Sequence, residues 1–177
     1  MVDEIRLEMD ELRAVVAYAA ENAVDVLELF ERLYPSDRRP REAIESARMF
    51  ARGGACVKTL RDAAWAALRA AKQAESEVAS HAARAAMCAP SAAFLHPLAR
   101  ATQVKHILGA AAHAARAAEL AAGDGSAVAA DHLARAARRA TPEVVAVLRR
   151  YPLAPSGGGR VGELMRSLDR TLRDTTP

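Results

Sequence analysis

The chain has 177 residues and a mass of 18.9 kDa; 51% of it is hydrophobic, 27% charged and 4% aromatic, with a net charge of +3. Domains usually run to roughly 100–200 residues, so this length predicts one domain with a core that needs no disulfide staples. Alanine occupies 44 positions. It enters helices without side-chain entropy loss, whereas sheets draw on β-branched and aromatic residues, and this excludes an all-β fold, a disulfide scaffold and a disordered chain.

Charge is unevenly placed. Residues 1–35 carry nine acids and three bases, while every later stretch is net basic. Such polarity can steer a charged partner or hold an acidic first helix against a basic body. Cys56 and Cys88 are too few for a framework and have no CxxC spacing; both lie in alanine-rich helical sequence, where cysteine acts as a small apolar residue. Residues 1–13 are charged throughout, and no charge-free apolar run approaches about 18 residues. Neither a signal peptide nor a membrane span is expected, and the expected compartment is the cytoplasm.

The first helix is expected over about 3–33. Leu12, Val16, Ala19, Ala23, Leu27 and Phe30 recur at steps of three and four, the period of one helix face, with Glu21, Asp25 and Glu28 opposite. Tyr34-Pro35-Ser36-Asp37 breaks it. A second helix starts at Pro40, a residue suited to a first turn, and stops at Gly53-Gly54. A long third helix is expected over 56–88, its faces marked by Leu60, Ala64, Ala67 or Leu68, Ala71 and Glu75 or Val78, with Trp65 as its large core anchor. Ala89-Pro90-Ser91 reads as a break. Helix then continues to about Ala122, with Pro97 near an N-terminus.

Gly123 to Ser126 is a tight connection in which Asp124 or Ser126 could cap a helix over 127–139. Thr141-Pro142-Glu143 starts a helix that ends near Arg150. Pro152, Pro155 and Gly157-Gly158-Gly159 read as a flexible linker. A last helix over 160–174 must bury Val161, Leu164, Met165, Leu168 and Leu172. No repeat period emerges. The expected architecture is all-α, an irregular antiparallel bundle of about six or seven helices. Its expected parts are a bundle over 1–152, a linker over 153–159, and a helix over 160–177 packed on the bundle or on a partner.

Chemistry-bearing patterns are sparse. His106 and His113 are seven apart, as are His81 and Cys88. That is two turns, about 10 Å of rise, too far for two side chains to share one ion. HExxH and ExxH are absent, so no metal is expected and the histidines are read as hydrogen-bonding between helices. GxSxG, a P-loop and GxGxxG are also absent, and the acids of the first helix line its solvated side. No cofactor is expected, and the chain is read as a non-enzyme. Arginines cluster at 38, 39 and 41, at 135, 138 and 139, and at 149 and 150. Arginine suits phosphate, but few aromatics are available to stack bases and no recognition helix stands out, which weighs against nucleic acid.

Several segments resemble a known family. They are Tyr18-Ala19-Ala20, Leu29-Phe30 through Tyr34-Pro35, and the run from Asp37-Arg38-Arg39-Pro40 through Glu45-Ser46-Ala47-Arg48. Further on they are Gln103 through Gly109 with Ala114 to Ala117, Val147 through Pro152, and Gly159 through Met165 with Leu168-Asp169. Together they are similar to the alanine-rich, all-helical immunity proteins of bacterial polymorphic toxin systems. The Arg39-Pro40 helix start and the Gln103 to His106 stretch are the more specific parts. At Ala110 to His113 the chain departs from the family pattern, where a proline and a tyrosine are expected.

The resemblance implies a small antitoxin that neutralises a cognate toxin by binding it. A basic toxin cleft would be met by an acidic face, which nominates Glu21, Asp25 and Glu28, with neighbours Glu11 and Glu31, as the contact. Arg39 and Glu45 match the family motif and are candidates for the same contact or for tying the first two helices together. Gln103 and His106 are polar in an apolar stretch; they would make buried hydrogen bonds or line a pocket. Alternatives are a homo-oligomeric scaffold or regulator, a homodimer included, acting through alanine-rich faces or the C-terminal helix, and a nucleic-acid or small-molecule binder using the arginines.

Overall fold

A computed structural model describes residues 4–54 and 57–174; Cys56 lies outside them. Eight α-helices, and no strand, form among the described residues. α1 is Met9–Glu31. It starts later than the hydrophobic period suggests, because the Glu11 carboxylate accepts the Glu8 backbone N–H at 3.0 Å and sets a cap there. Residues before it are drawn off by the body: the Ile5 N–H donates to the Pro97 carbonyl at 2.8 Å, and Glu4 bridges Leu98.

α2 is Arg39–Ala51, with Pro40 in its first turn, and it ends at Gly53, whose φ of +98° only glycine adopts without strain. The expected long third helix is two helices, α3 (Val57–Gln73) and α4 (Glu77–Ser91). Neither glycine nor proline marks the break. It holds because three side chains serve the released backbone groups. Tyr34 Oη accepts the Glu75 N–H at 2.9 Å, Ser76 Oγ accepts the Ala79 N–H at 3.4 Å, and Ser80 Oγ donates to the Ala71 carbonyl at 2.8 Å. Pro90 does not stop α4; it sits one residue from the helix end.

Two short 3-10 turns, 92–94 and 101–103, flank a non-helical stretch containing Pro97 and precede α5 (Val104–Ala121). Gln103 therefore lies in a turn before the helix. α6 is Ser126–Arg139, capped by neither Asp124 nor Ser126. Asp124 has φ +62° and pairs with Arg116, while Gly125 takes the cap position. α7 is Pro142–Arg149, where Thr141 Oγ1 accepts the Val144 N–H, and α8 is Gly159–Asp174.

α4 and α5 form the centre, with α1 against both, α3 on α4, and α8 on α5 and α6. Alanine makes the central seam: Ala82, Ala83, Ala85, Ala86 and Ala89 on α4, and Ala110 to Ala112 with Ala114 and Ala115 on α5, are buried. Interaxial distance follows side-chain size, so methyl-lined faces pack closely. Gly109 extends the seam, since a β-carbon there would lie 3.1 Å from Cys88 Sγ. Phe30, Leu60, Ile107, Leu108, Leu148 and Leu168 fill the wider spaces. Trp65 is no core anchor: it is 56% exposed. The buried stripe of α3 runs through Leu60, Ala64, Ala67 and Ala71, as its spacing predicts, and Trp65 falls outside that stripe.

The stretch before α8 is tethered along its length. Arg173 Nη2 donates to the Tyr151 and Pro152 carbonyls at 3.1 Å each, and the Ala154 N–H reaches buried Asp169 at 2.9 Å. Arg166 Nη1 donates to the Pro155 and Gly157 carbonyls at 2.9 and 2.7 Å. The strap then folds onto the first turn of α8. A β-carbon on Gly162 would stand 2.0 Å from the Gly157 carbonyl oxygen, so that crossing requires glycine. The Val161, Leu164, Met165, Leu168, Leu172 stripe packs inward, with all but Val161 buried.

Candidate functional site

The charged residues nominated from sequence lie on the outer sides of α1 and α2, and arginines meet most of them. Arg48 makes a two-pronged pair with Glu21 at 2.8 and 3.0 Å. Arg139 of α6 does the same to Asp25 at 3.1 Å and also reaches Asn22 Oδ1 at 2.8 Å. Glu28 pairs with Arg32 one turn on, at 2.6 Å. Glu31 is held by Arg41, and Glu11 by Arg150. Arg150 lowers the Glu11 carboxyl to about 2, helped by the Glu8 backbone N–H. The face is thus a lattice of alternating charge, and three of its arginines, Arg48, Arg139 and Arg150, come from segments distant in sequence.

Arg39 does not tie α1 to α2. It pairs with Asp37 in the preceding turn at 2.6 Å and reaches Gln73 at the end of α3 at 2.8 Å. The α1–α2 ties are Glu21–Arg48 and Glu31–Arg41. Glu45 is exposed on α2, where its charge acts on Arg41 and Arg48.

Gln103 Oε1 accepts the His96 N–H at 2.8 Å, and His106 Nδ1 bonds the Ser91 carbonyl at 2.8 Å. Both hold the turn between α4 and α5. His106 also lines a shallow groove of about 260 Å³ with Trp65, Leu68 and Phe94, where the Arg61 guanidinium lies 5.2 Å from the centre of the Phe94 ring.

A concavity of about 590 Å³ opens among the described residues between α4, α5, the strap and the start of α8. Two facing stripes build it. Glu77, His81, Arg84 and Cys88 follow at helical spacing along α4; Lys105, Gly109 and His113 do so along α5. His81 and His113 meet with their Nδ1 atoms 3.0 Å apart. Burial, then the neighbouring His81 and Arg84, bring His113 down to about 3; burial also lowers His81. Burial raises the Cys88 thiol to about 12, which keeps it protonated and unreactive.

Hydrogen bonding of histidines between helices, expected from the sequence, is met at His81 and His113, whereas their partnership with each other and with Arg84 and Lys105 was not expected. The signal was the pair of three-and-four spaced stripes, invisible until α4 and α5 are known to be neighbours. Among the described residues no three His, Cys, Asp or Glu side chains gather as a metal site, and no helix is long and apolar enough to cross a membrane.

Comparison with known proteins adds one finding: the sequence model of a family described as Imm-5 like putative immunity protein matches residues 6–143. No curated protein and no solved structure matches the chain.

Proposed function

The chain belongs to the Imm-5 like immunity protein family, and from that premise we propose that it neutralises a cognate bacterial toxin by direct binding, as a non-catalytic cytoplasmic partner in a polymorphic toxin system. Family membership over residues 6–143 is the observation that carries this reading. Such a protein needs a firm surface with well-placed charges and no reacting group.

The contact proposed is the outer face of α1 and α2, with Glu21, Asp25, Glu28, Arg39 and Glu45. Arginine pairing alters how it would work. A basic toxin group would exchange partners with an arginine already in place, so register and shape decide capture more than a broad acidic field. Glu28 and Glu45 are the acids freest to do this, because Glu21 and Asp25 link separate helices. The exposed Trp65, with Arg61 nearby, supplies the residue types that dominate protein contacts and is the proposed apolar anchor.

The surfaces that favoured a homo-oligomer are occupied within the chain: the alanine faces of α4 and α5 and the apolar stripe of α8 are packed inward. Many of the clustered arginines, Arg39, Arg41, Arg139 and Arg150 among them, are engaged by carboxylates.

The test is co-expression with products of neighbouring genes, scoring rescue of growth and then complex formation with the purified toxin. The Glu28→Lys/Glu45→Lys double variant leaves the inter-helix pairs intact, so its helicity and melting temperature should match the parent while rescue is lost. Rescue by the double variant would refute the α1–α2 face. Failure of the parent to rescue against every neighbouring product would refute the immunity reading.

A further inference from the structure

We infer that the cleft between α4, α5 and α8 is a binding site for a small amphiphilic anion, a carboxylate or phosphate head carried on an apolar body. Arg84 is the first reason. Among the described residues every other half-buried arginine has an oxygen partner: Arg13, Arg39, Arg41, Arg48, Arg116 and Arg139 reach carboxylates, as does Arg173, while Arg166 reaches carbonyls. Arg84 alone, half-buried on the wall of the cleft, has neither ion pair nor hydrogen bond. A guanidinium half-removed from water is costly unless oxygen ligands meet its fork, and an anion in the cleft supplies them.

The rest of the lining agrees on sign. Lys105 stands at the exposed rim, and Glu77 is the one carboxylate among the lining residues. The paired histidines are neutral at physiological pH, so the lining carries a net single positive charge. Gly157 and Gly158, both at positive φ, bring the strap backbone to the cleft beside the first turn of α8, whose dipole favours a negative head. The body of the ligand follows from the apolar part of the lining, where Met87 and Cys88 of α4 and Val161 and Met165 of α8 present sulfur and aliphatic carbon. No aromatic ring other than the histidines lines the cleft, which disfavours a stacked base and favours an aliphatic chain. The volume is in the range of sites for small organic molecules, roughly 300–1,000 Å³.

This site is separate from the α1–α2 face, so its test does not depend on the toxin-binding reading. The probes are octanoate and octyl phosphate, with octylammonium and inorganic phosphate as controls, titrated into the full chain by calorimetry and by amide and methyl NMR. The expected result is saturable binding of one or both anionic amphiphiles, with shifts at Gly109, Gly157, Gly158 and the Met87 and Met165 methyls. Arg84→Gln should weaken it at least tenfold while circular dichroism and melting temperature stay at parent values. Whichever head group binds more tightly identifies the natural one; head and tail are both required if inorganic phosphate binds more weakly than octyl phosphate. The inference is overturned if neither anion binds, if octylammonium binds as well as octanoate, or if Arg84→Gln binds like the parent. An Arg84→Lys variant gives a second check, since it keeps the charge, loses the fork and should fall between the two.

Discussion

The Nδ1 atoms of His81 and His113 face each other across 3.0 Å at the seam of α4 and α5. One ring must hold its proton on Nδ1 and the other must present a bare lone pair, so the pair cannot be doubly charged without breaking this contact. Burial holds His113 near 3 and lowers His81, and Arg84 pushes both the same way. The unfolded chain takes up protons near 6.5 that the folded chain refuses. Stability therefore falls as pH drops below about 6.5, and His113 contributes to the loss down to about 3. Urea midpoints should be level above pH 7 and decline through pH 6, with His106 and His132 adding in the same direction because burial lowers them too. In His113→Asn the slope between pH 6 and 5 should ease by up to about 1.4 kcal/mol per pH unit, the worth of one proton. An unchanged slope would show that His113 titrates normally.

A second acid transition has another origin. Arg150 holds Glu11 near 2, and the Glu8 N–H helps. Its folded-state value lies below its unfolded one, so its contribution is complete above about 4.5 and disappears as pH falls toward 2. Arg150→Gln should lessen the fall of the urea midpoint between pH 4.5 and 2, where His113 and Glu119 still contribute, and leave the decline near pH 6 untouched.

Gly162 has no tolerance for a side chain, because a β-carbon would sit 2.0 Å from the Gly157 carbonyl oxygen. Gly162→Ala has to push the strap off α8, which also strains the Arg166 bonds to Pro155 and Gly157. A loss of about 1–3 kcal/mol or more in urea unfolding is expected, the usual cost of forcing extra atoms into a packed site. Gly123→Ala has open space around it, though its φ of +68° makes a cost of about 1 kcal/mol the expectation.

Glu119 is 2% exposed and is shared by Arg116 of α5 and Arg160 of α8. Hydrogen bonding from Arg160, then Arg116, holds its carboxyl below the usual range. Glu119→Gln leaves two arginines facing a neutral group and should cost about 2 kcal/mol, less than a fully buried triad because Arg160 still reaches water. A double-mutant cycle with Arg160→Gln should return a coupling near 1 kcal/mol; a value near zero would mean that the Glu119–Arg160 pair adds nothing to the hold on α8.

Trp65 is the single tryptophan of the chain and is 56% exposed. Its fluorescence should emit at the long wavelength of indole in water and be quenched freely by acrylamide. Trp65→Ala should change stability by less than about 1 kcal/mol, while Phe30→Ala, in the core, should cost about 3–5 kcal/mol. A blue-shifted, protected emission would return Trp65 to the interior.

The helical class and the α1 stripe were legible because branched and aromatic residues, Leu27 and Phe30 among them, stand out against polar neighbours. So were the ends set by specific backbone chemistry, at Pro40, Gly53 and Thr141-Pro142. Legibility failed where alanine dominates. In α3 the inward stripe through Leu60, Ala64, Ala67 and Ala71 could be read from its spacing, but the alanines around Trp65 did not show that its ring lies outside, and nothing in Ala63 to Ala74 marks where the helix stops. The break at 74–76 depends on Tyr34, forty residues earlier, and the acidic face depends on Arg139, more than a hundred residues later. Pairings of that range follow from helix packing and leave no local trace, as does the cleft, whose two stripes lie on separate helices and whose third wall is the strap.

The methyl seam between α4 and α5 also governs how the molecule can yield. Apart from His81 and His113, which are held to each other, the seam is lined by methyl groups that leave little room to slide, so the central pair resists shear. Accommodation of an arriving protein or ligand therefore falls to the periphery: to α3 beyond the break, to α6, and to the strap, held by Arg166, Arg173 and the one Ala154–Asp169 bond.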